Sequence, residues 1–333
     1  MNKISVSSDI MIKGRPASAG SKILSGFTAP FSAAAVEMLL GAGYEVQSVE
    51  SAREFGIPNW IFDGAVGDSP AKHYLCNDYG GWSKYAAAKS GGLFLHPTYG
   101  RVSRFGLIQA ASSMDQIGIF GTELSDVFGA LEVISGRDER DITTFAEKYA
   151  VEKDAKPGRT LNPRVLSLSE LKYLDTAGAA FFILSTSELS NNLSRYDGVK
   201  FGYRTKSYKN LEELYLNSRG EGFGMDAKLA ATFGTAFLTG DYYADYYEKA
   251  MRLRRSFQAE TIKLLDKYGV IGIPLDTDSE PDFKATGILS LPALTGLPAL
   301  ALRHKNSGLL LVAKACAEND LLTAAKTFIG GTK

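Results

Sequence analysis

The run "CNDYGGWSK", Cys76 to Lys84, gathers the residue types that chemistry needs: an acid at Asp78, a doubled glycine at Gly80-Gly81, a hydroxyl at Ser83 and an amine at Lys84. A Gly-Gly pair after an acid suits a loop whose backbone N–H groups come close to a reacting carbonyl. Ser83 would serve as a nucleophile if Lys84 or Lys13 took its proton, although side chains that are neighbours in sequence rarely face one another. Trp82, between the glycines and the serine, cannot attack anything. A second pairing, "SPAK" at Ser69–Lys72, places hydroxyl and amine on one face of a helix. Pro70 fits equally well there as a first-turn residue. His73, His96 and His304 show no acid or thiol beside them in the pattern and read as surface or satisfied core histidines. Gly80-Gly81 and Gly91-Gly92 have the composition of phosphate cradles, but ordinary turns account for them as well.

Cys76 and Cys316 lie far apart without metal-ligand spacing, so two reduced thiols are expected and neither a metal nor a cofactor. Lys plus Arg and Asp plus Glu both total 37, giving zero net charge and no global attraction to nucleic acid or membrane. No apolar run approaches a membrane span, and the first residues lack a signal-peptide pattern. A cytoplasmic protein is the default expectation.

Positioning such residues requires a scaffold, and the chain predicts one. Ile4–Ile12 reads as a strand. "PFSAAAVEMLLGAG" reads as a helix capped by Ser32 with Val36, Leu39 and Leu40 on its apolar face, and Val46 and Val49 as a following strand. "TELSDVFGALEVISG" predicts a helix capped by Ser125 and buried through Val127, Leu131 and Ile134. Residues 210–269 are mostly helical, "VIGIPL" is a buried strand, and "GLLLVAKACAENDLLTAAKTFI" is a strand followed by a closing helix. The Tyr-rich "GDYYADYYEKAMRLRR" is either a base-stacking surface or an amphipathic helix with its rings on the core; the neutral charge favours the core. With no repeat, linker or low-complexity tract, residues 1–333 are expected to form a single domain.

Four separated blocks carry a family resemblance. They are "HPTYGRVSRFG…SSMDQIG", "GSKIL" with "PFSAAAVEML", "LEELYLNSRGEGFG" with "GTAFLTGDYYADYYEKA", and "LPALTGLPALAL". Together they resemble the amidase-signature family, and within it the A-subunit branch of the tRNA-dependent amidotransferases. The resemblance implies an α/β fold, a three-layer α/β/α arrangement with a large mixed central sheet. It further implies amide hydrolysis or transfer by a serine, a second serine in a cis peptide and a lysine, with backbone N–H groups holding the oxyanion.

Carried over position by position, the resemblance predicts a site without its chemistry. The family's Gly-Ser-Asp-x-Gly-Gly-Ser-Ile-Arg segment aligns with "CNDYGGWSK", so Asp78, Gly80 and Gly81 are kept while the nucleophile position holds Trp82. The lysine position holds Ser7. The Gly-Gly-Ser-Ser-Gly-Gly-Ser loop has no counterpart between "REFG" and "LCND", and the family's N-terminal helical segment is expected to be missing. Where the family branch holds free glutamine with an arginine and an acid, this chain has Leu229 or Ala230 and Thr286 or Gly287. The expectation is therefore an inactive relative, with a remnant cleft of Asp78, Gly80, Gly81, Trp82 and Ser83. Its role would be to bind a protein partner: a second copy of itself, an intact A subunit, or a B- or C-like amidotransferase subunit. Nucleic acid would be met only indirectly. The alternative is an amidase or glutaminase with Ser83 as a relocated nucleophile; a weaker one is a small-ligand sensor using the remnant cleft.

Overall fold

The computed structural model describes residues 3–50, 53–57, 73–152, 161, 163–279, 281 and 283–330. Among the described residues nine strands form one sheet: β1 (Lys3–Ser7), β2 (Glu45–Glu50), β3 (His73–Asn77), β4 (Leu93–His96), β5 (Ile117–Gly121), β6 (Arg164–Val165), β7 (Val270–Leu275), β8 (Ala299–His304) and β9 (Ser307–Ala313). Their spatial order is β2-β1-β3-β5-β4-β8-β9-β7-β6, so both ends of the chain contribute. The β1–β2, β1–β3 and β6–β7 pairs are parallel; the central pairs from β3 to β7 are antiparallel, making the sheet mixed.

Strands such as "LFLH", "IGIFG" and "ALALRH" are apolar on both faces because both faces are covered. Leu93 and Leu95 point to one face, where α1 (Ala34–Gly41), α3 (Leu124–Ile134) and α11 (Glu318–Gly330) pack. Phe94, between them, points to the other. That face carries α2 (Trp82–Ser90), α4 (Leu174–Leu193), α6 (Met225–Phe237), α8 (Glu248–Tyr268), α9 (Phe283–Leu289) and α10 (Leu291–Thr295). Between α4 and α6 comes α5 (Leu211–Gly222), and between α6 and α8 the short α7 (Gly240–Tyr242) followed by a π-helical turn, Tyr243–Tyr247. This is the expected three-layer arrangement.

Local details depart from the sequence pattern. Ser32 does not cap α1: the N-cap is Ala33, and the Ser32 hydroxyl instead accepts the Lys13 backbone N–H, fastening the turn after β1. Ser125 lies inside the first turn of α3, whose N-cap is Glu123 without a side-chain bond. The first strand ends at Ser7, because the chain turns at Ser8–Asp9 and returns only as a bridge from Ile10 to Leu107. Three of the four clustered tyrosines are exposed, Tyr242 by 50%, Tyr243 by 39% and Tyr246 by 43%; only Tyr247 packs against the core. The rings meet one another across the π turn, Tyr242 edge-on to Tyr246 at 5.8 Å and Tyr243 stacked on Tyr247 at 5.2 Å.

Candidate functional site

At the carboxyl end of β3 the chain delivers Cys76, Asn77 and Asp78, then turns through Gly80-Gly81 into α2. Gly81 is the N-cap of α2 at φ 80°, and a Cβ on it would stand 2.5 Å from the Leu289 carbonyl oxygen. Both the left-handed backbone and the contact with α9 demand glycine. Gly91 ends the same helix at φ 82°, so the two glycine pairs frame one helix.

Asp78 Oδ2 is the hub. It accepts the Lys84 ammonium, from the first turn of α2, and the His96 Nδ1–H at 2.9 Å from the end of β4. Lys84 and Asp78 have no exposed side-chain surface, and His96 has 1%. Burial pulls the Lys84 ammonium below its ordinary range against the opposing pull of Asp78. Burial and then the Lys84 charge pull His96 down as well. A neutral His96 with its proton on Nδ1, beside a Lys84–Asp78 ion pair, satisfies both directions. His73 pairs with Asp126 at 2.7 Å. The expectation that no histidine had an acid nearby is thus corrected for His73 and His96. Their partners come from other elements, a contact that sequence spacing does not register.

Ser83 is half-buried, and its Oγ lies 3.1 Å from Cys76 Sγ. The thiol is pushed well up, first by burial and then by the Asp78 charge, so it stays protonated and cannot draw the serine proton. Lys84, committed to Asp78, gives no base either. Lys13 is exposed in the turn that follows β1. Trp82 is half-buried, edge-on to Tyr85 at 6.1 Å, with the Arg53 guanidinium 5.0 Å over its ring.

Ser7 is buried at the end of β1 and hydrogen-bonds Asp9. Asp9 is raised from 3.8 to about 6 by burial, and its Oδ1 accepts no hydrogen bond from the described residues. Beside it Asn77 donates to Asp115 at 2.8 Å, and Asp115 also accepts the Ala110 and Ala111 N–H groups. Leu229 and Ala230 lie in α6, and Thr286 and Gly287 in α9, bringing no charge. Ser69–Lys72, with most of the stretch between "REFG" and "LCND", lies outside the described residues; among those described no peptide bond is cis.

The "PTYGRVSR" string holds the fold. Thr98 and Arg101 bind the buried Glu318 of α11, Ser103 donates to Asp138 at 2.7 Å, and Arg104 pairs with Asp141. These contacts, like the Asp78 hub, escaped sequence reasoning because their partners lie elsewhere in the chain, with Glu318 220 residues beyond Thr98.

An amidase family model matches residues 75–166 and 162–287. The A subunit of the glutamyl-tRNA(Gln) amidotransferase of Campylobacter curvus is 32% identical, over 97% of this chain and 87% of the relative. That alignment spans 397 positions, more than the 333 residues present here, so the relative has segments without a counterpart. Among solved structures, the A subunit of the same amidotransferase from Thermotoga maritima superposes with a TM-score of 0.69 at 22% identity, over 96% of this chain and 80% of the other. The native peptide amidase of Stenotrophomonas maltophilia gives a TM-score of 0.71 at 19% identity, over 99% of this chain and 82% of the other.

Proposed function

The chain belongs to the amidase family, and on that basis we propose that it is a catalytically inactive, A-subunit-like member that works by binding a partner. One observation carries the reading. The position that resembles the family's nucleophile is Trp82, and the hydroxyl and amine beside it are both engaged, Ser83 with a protonated thiol and Lys84 with Asp78. Catalytic parts that act as a unit fail together when one is removed. Ser7, at the lysine position, offers no amine. The lack of any counterpart here for segments of the Campylobacter relative supports the loss of the cis-serine loop.

A relocated nucleophile at Ser83 would need a base within reach, and its hydrogen-bond partner is not one. We read residues 1–333 as one domain, since a single sheet draws on both ends of the chain. No helix among the described residues is long and apolar enough to cross a membrane. A cytoplasmic setting is part of this proposal. Because those relatives are named as one component of an amidotransferase, the foremost candidate partner is another component of such an enzyme, B- or C-like. An intact A subunit or a second copy ranks behind it. Purification of the chain from its native host under mild conditions tests this. A stoichiometric partner identified by mass spectrometry is the expected result; a monomer by light scattering, alone in every preparation, would contradict it.

A further inference from the structure

A concavity lies apart from the Asp78 hub and shares no residue with it. Met251, Arg254, Arg255 and Gln258 project from one face of α8, at the three- and four-residue spacing that aligns side chains along a helix. Opposite them stand Leu294, Thr295 and Gly296, where α10 ends. Tyr99 and Ser113, from the loops flanking β4 and β5, close the cleft. Its volume is about 390 Å³, within the range of small-molecule sites.

The two arginines have different duties. Arg254 is spent on the walls: its Nε donates to the Leu294 carbonyl at 2.7 Å, Nη1 to Ser113 Oγ at 2.7 Å and Nη2 to the Ser113 carbonyl at 3.0 Å. It therefore fixes α8, the α10 turn and the Ser113 loop as one frame, and Gln258 adds a bond to the Thr295 carbonyl at 2.6 Å. Glu188, the acid near Arg254, is itself held by the Ser113 N–H and hydroxyl.

Arg255 is exposed at the same cleft, and no acid, carbonyl or hydroxyl among the described residues engages it. No carboxylate among the described residues lines the cleft. The walls between the two ends are apolar, from Met251 and Leu294. Tyr99 is held in place by Arg104, whose guanidinium lies 4.7 Å over its ring, and by its own bond to the Ser112 carbonyl at 3.2 Å. A rigid, partly apolar cleft with one unspent guanidinium matches a ligand with an oxyanion at one end and an apolar body at the other, because a free guanidinium fork binds two oxygens of a carboxylate or phosphate through paired N–H bonds.

We propose that this cleft binds a small organic oxyanion, a carboxylate or a phosphate monoester with an aromatic or branched apolar body, with Arg255 as the charge partner. The reading stands whether or not the chain catalyses anything.

Calorimetric titration of the full chain with phenylacetate and with phenyl phosphate at fixed ionic strength tests it, with phenethylammonium as the charge-reversed probe. Saturable one-to-one binding of at least one anion is expected, weakened at least about tenfold by Arg255→Met. It should be unchanged by Arg252→Met, which removes a neighbouring exposed cation outside the cleft. The tighter of the two anions identifies the head group. Failure of both anions to saturate, equal affinity in Arg255→Met, or equal binding of phenethylammonium would each overturn the proposal. Arg255 lies on the surface, so its substitution leaves the fold intact, and an unchanged melting temperature verifies this.

Discussion

Asp9 offers the sharpest test of the electrostatics around the end of β1. Its carboxyl is buried and raised from 3.8 to about 6, with burial as the leading cause and the Ser7 hydroxyl opposing it. The folded protein therefore holds a proton at Asp9 that the unfolded chain releases between about pH 4 and 6. Where the native state binds more protons, stability falls as pH rises. The contribution of Asp9 is thus most favourable below about pH 4 and is lost as pH climbs through 6. A shift of this size corresponds to about 3 kcal/mol. Asp9→Asn removes the charge and keeps an acceptor oxygen for Ser7. At about pH 7.5 the variant should be more stable than the wild type by up to about 3 kcal/mol, or about 5 °C in melting temperature for a chain of this size. At about pH 4 the two should coincide. Differential scanning calorimetry across about pH 4–8 reads the difference directly. The comparison cancels His96, whose depressed pKa acts in the opposite direction in both proteins. Parallel curves for variant and wild type would refute the reasoning, because Asp9 would then carry the same charge folded and unfolded.

Three further outcomes follow from other contacts. Lys84→Met strands the buried Asp78 charge and should cost about 3–5 kcal/mol in urea denaturation, while Lys84→Met combined with Asp78→Asn should recover a large part of it. Glu318→Ala removes the acceptor shared by Thr98 and Arg101, and a loss of about 3 kcal/mol is expected, read as an earlier thermal transition. In thiol counting with Ellman's reagent at about pH 8, the native protein should report Cys316 alone, and the denatured protein both cysteines, since Cys76 is buried with its thiolate disfavoured.

The layered architecture was legible because hydrophobic pattern follows period. Val127, Leu131 and Ile134 mark the buried face of α3, and "VIGIPL" and "GLLLVA" are the apolar strands their composition implies. Caps were misread, since Ser32 and Ser125 have the right chemistry close to the right place; the backbone at Ala33 and Glu123 takes the cap position instead. The tyrosines were misread because a π turn shifts their phase, which a 3.6-residue period does not anticipate. Within the site, the expectation of Trp82 at the nucleophile position and Ser7 at the lysine position rests on resemblance alone. The Asp78–Lys84–His96 hub was not legible, because it joins α2 to the ends of β3 and β4, which flank β5 in the sheet, and sequence spacing carries no record of strand order. The same limit hid the Ser83–Cys76 contact, the geometry that bears most on whether the hydroxyl is activated.

Ammonia release from glutamine and asparagine, with amine release from aryl amides, at high concentrations of the full chain tests the central claim most directly, run beside Ser83→Ala and Trp82→Ser. No turnover above the uncatalysed rate in any of the three proteins is the predicted result, since no amine among the described residues stands free beside either hydroxyl. Turnover by the wild type that disappears in Ser83→Ala would show that a working nucleophile survives, and the account of an inactive amidase scaffold would have to be abandoned.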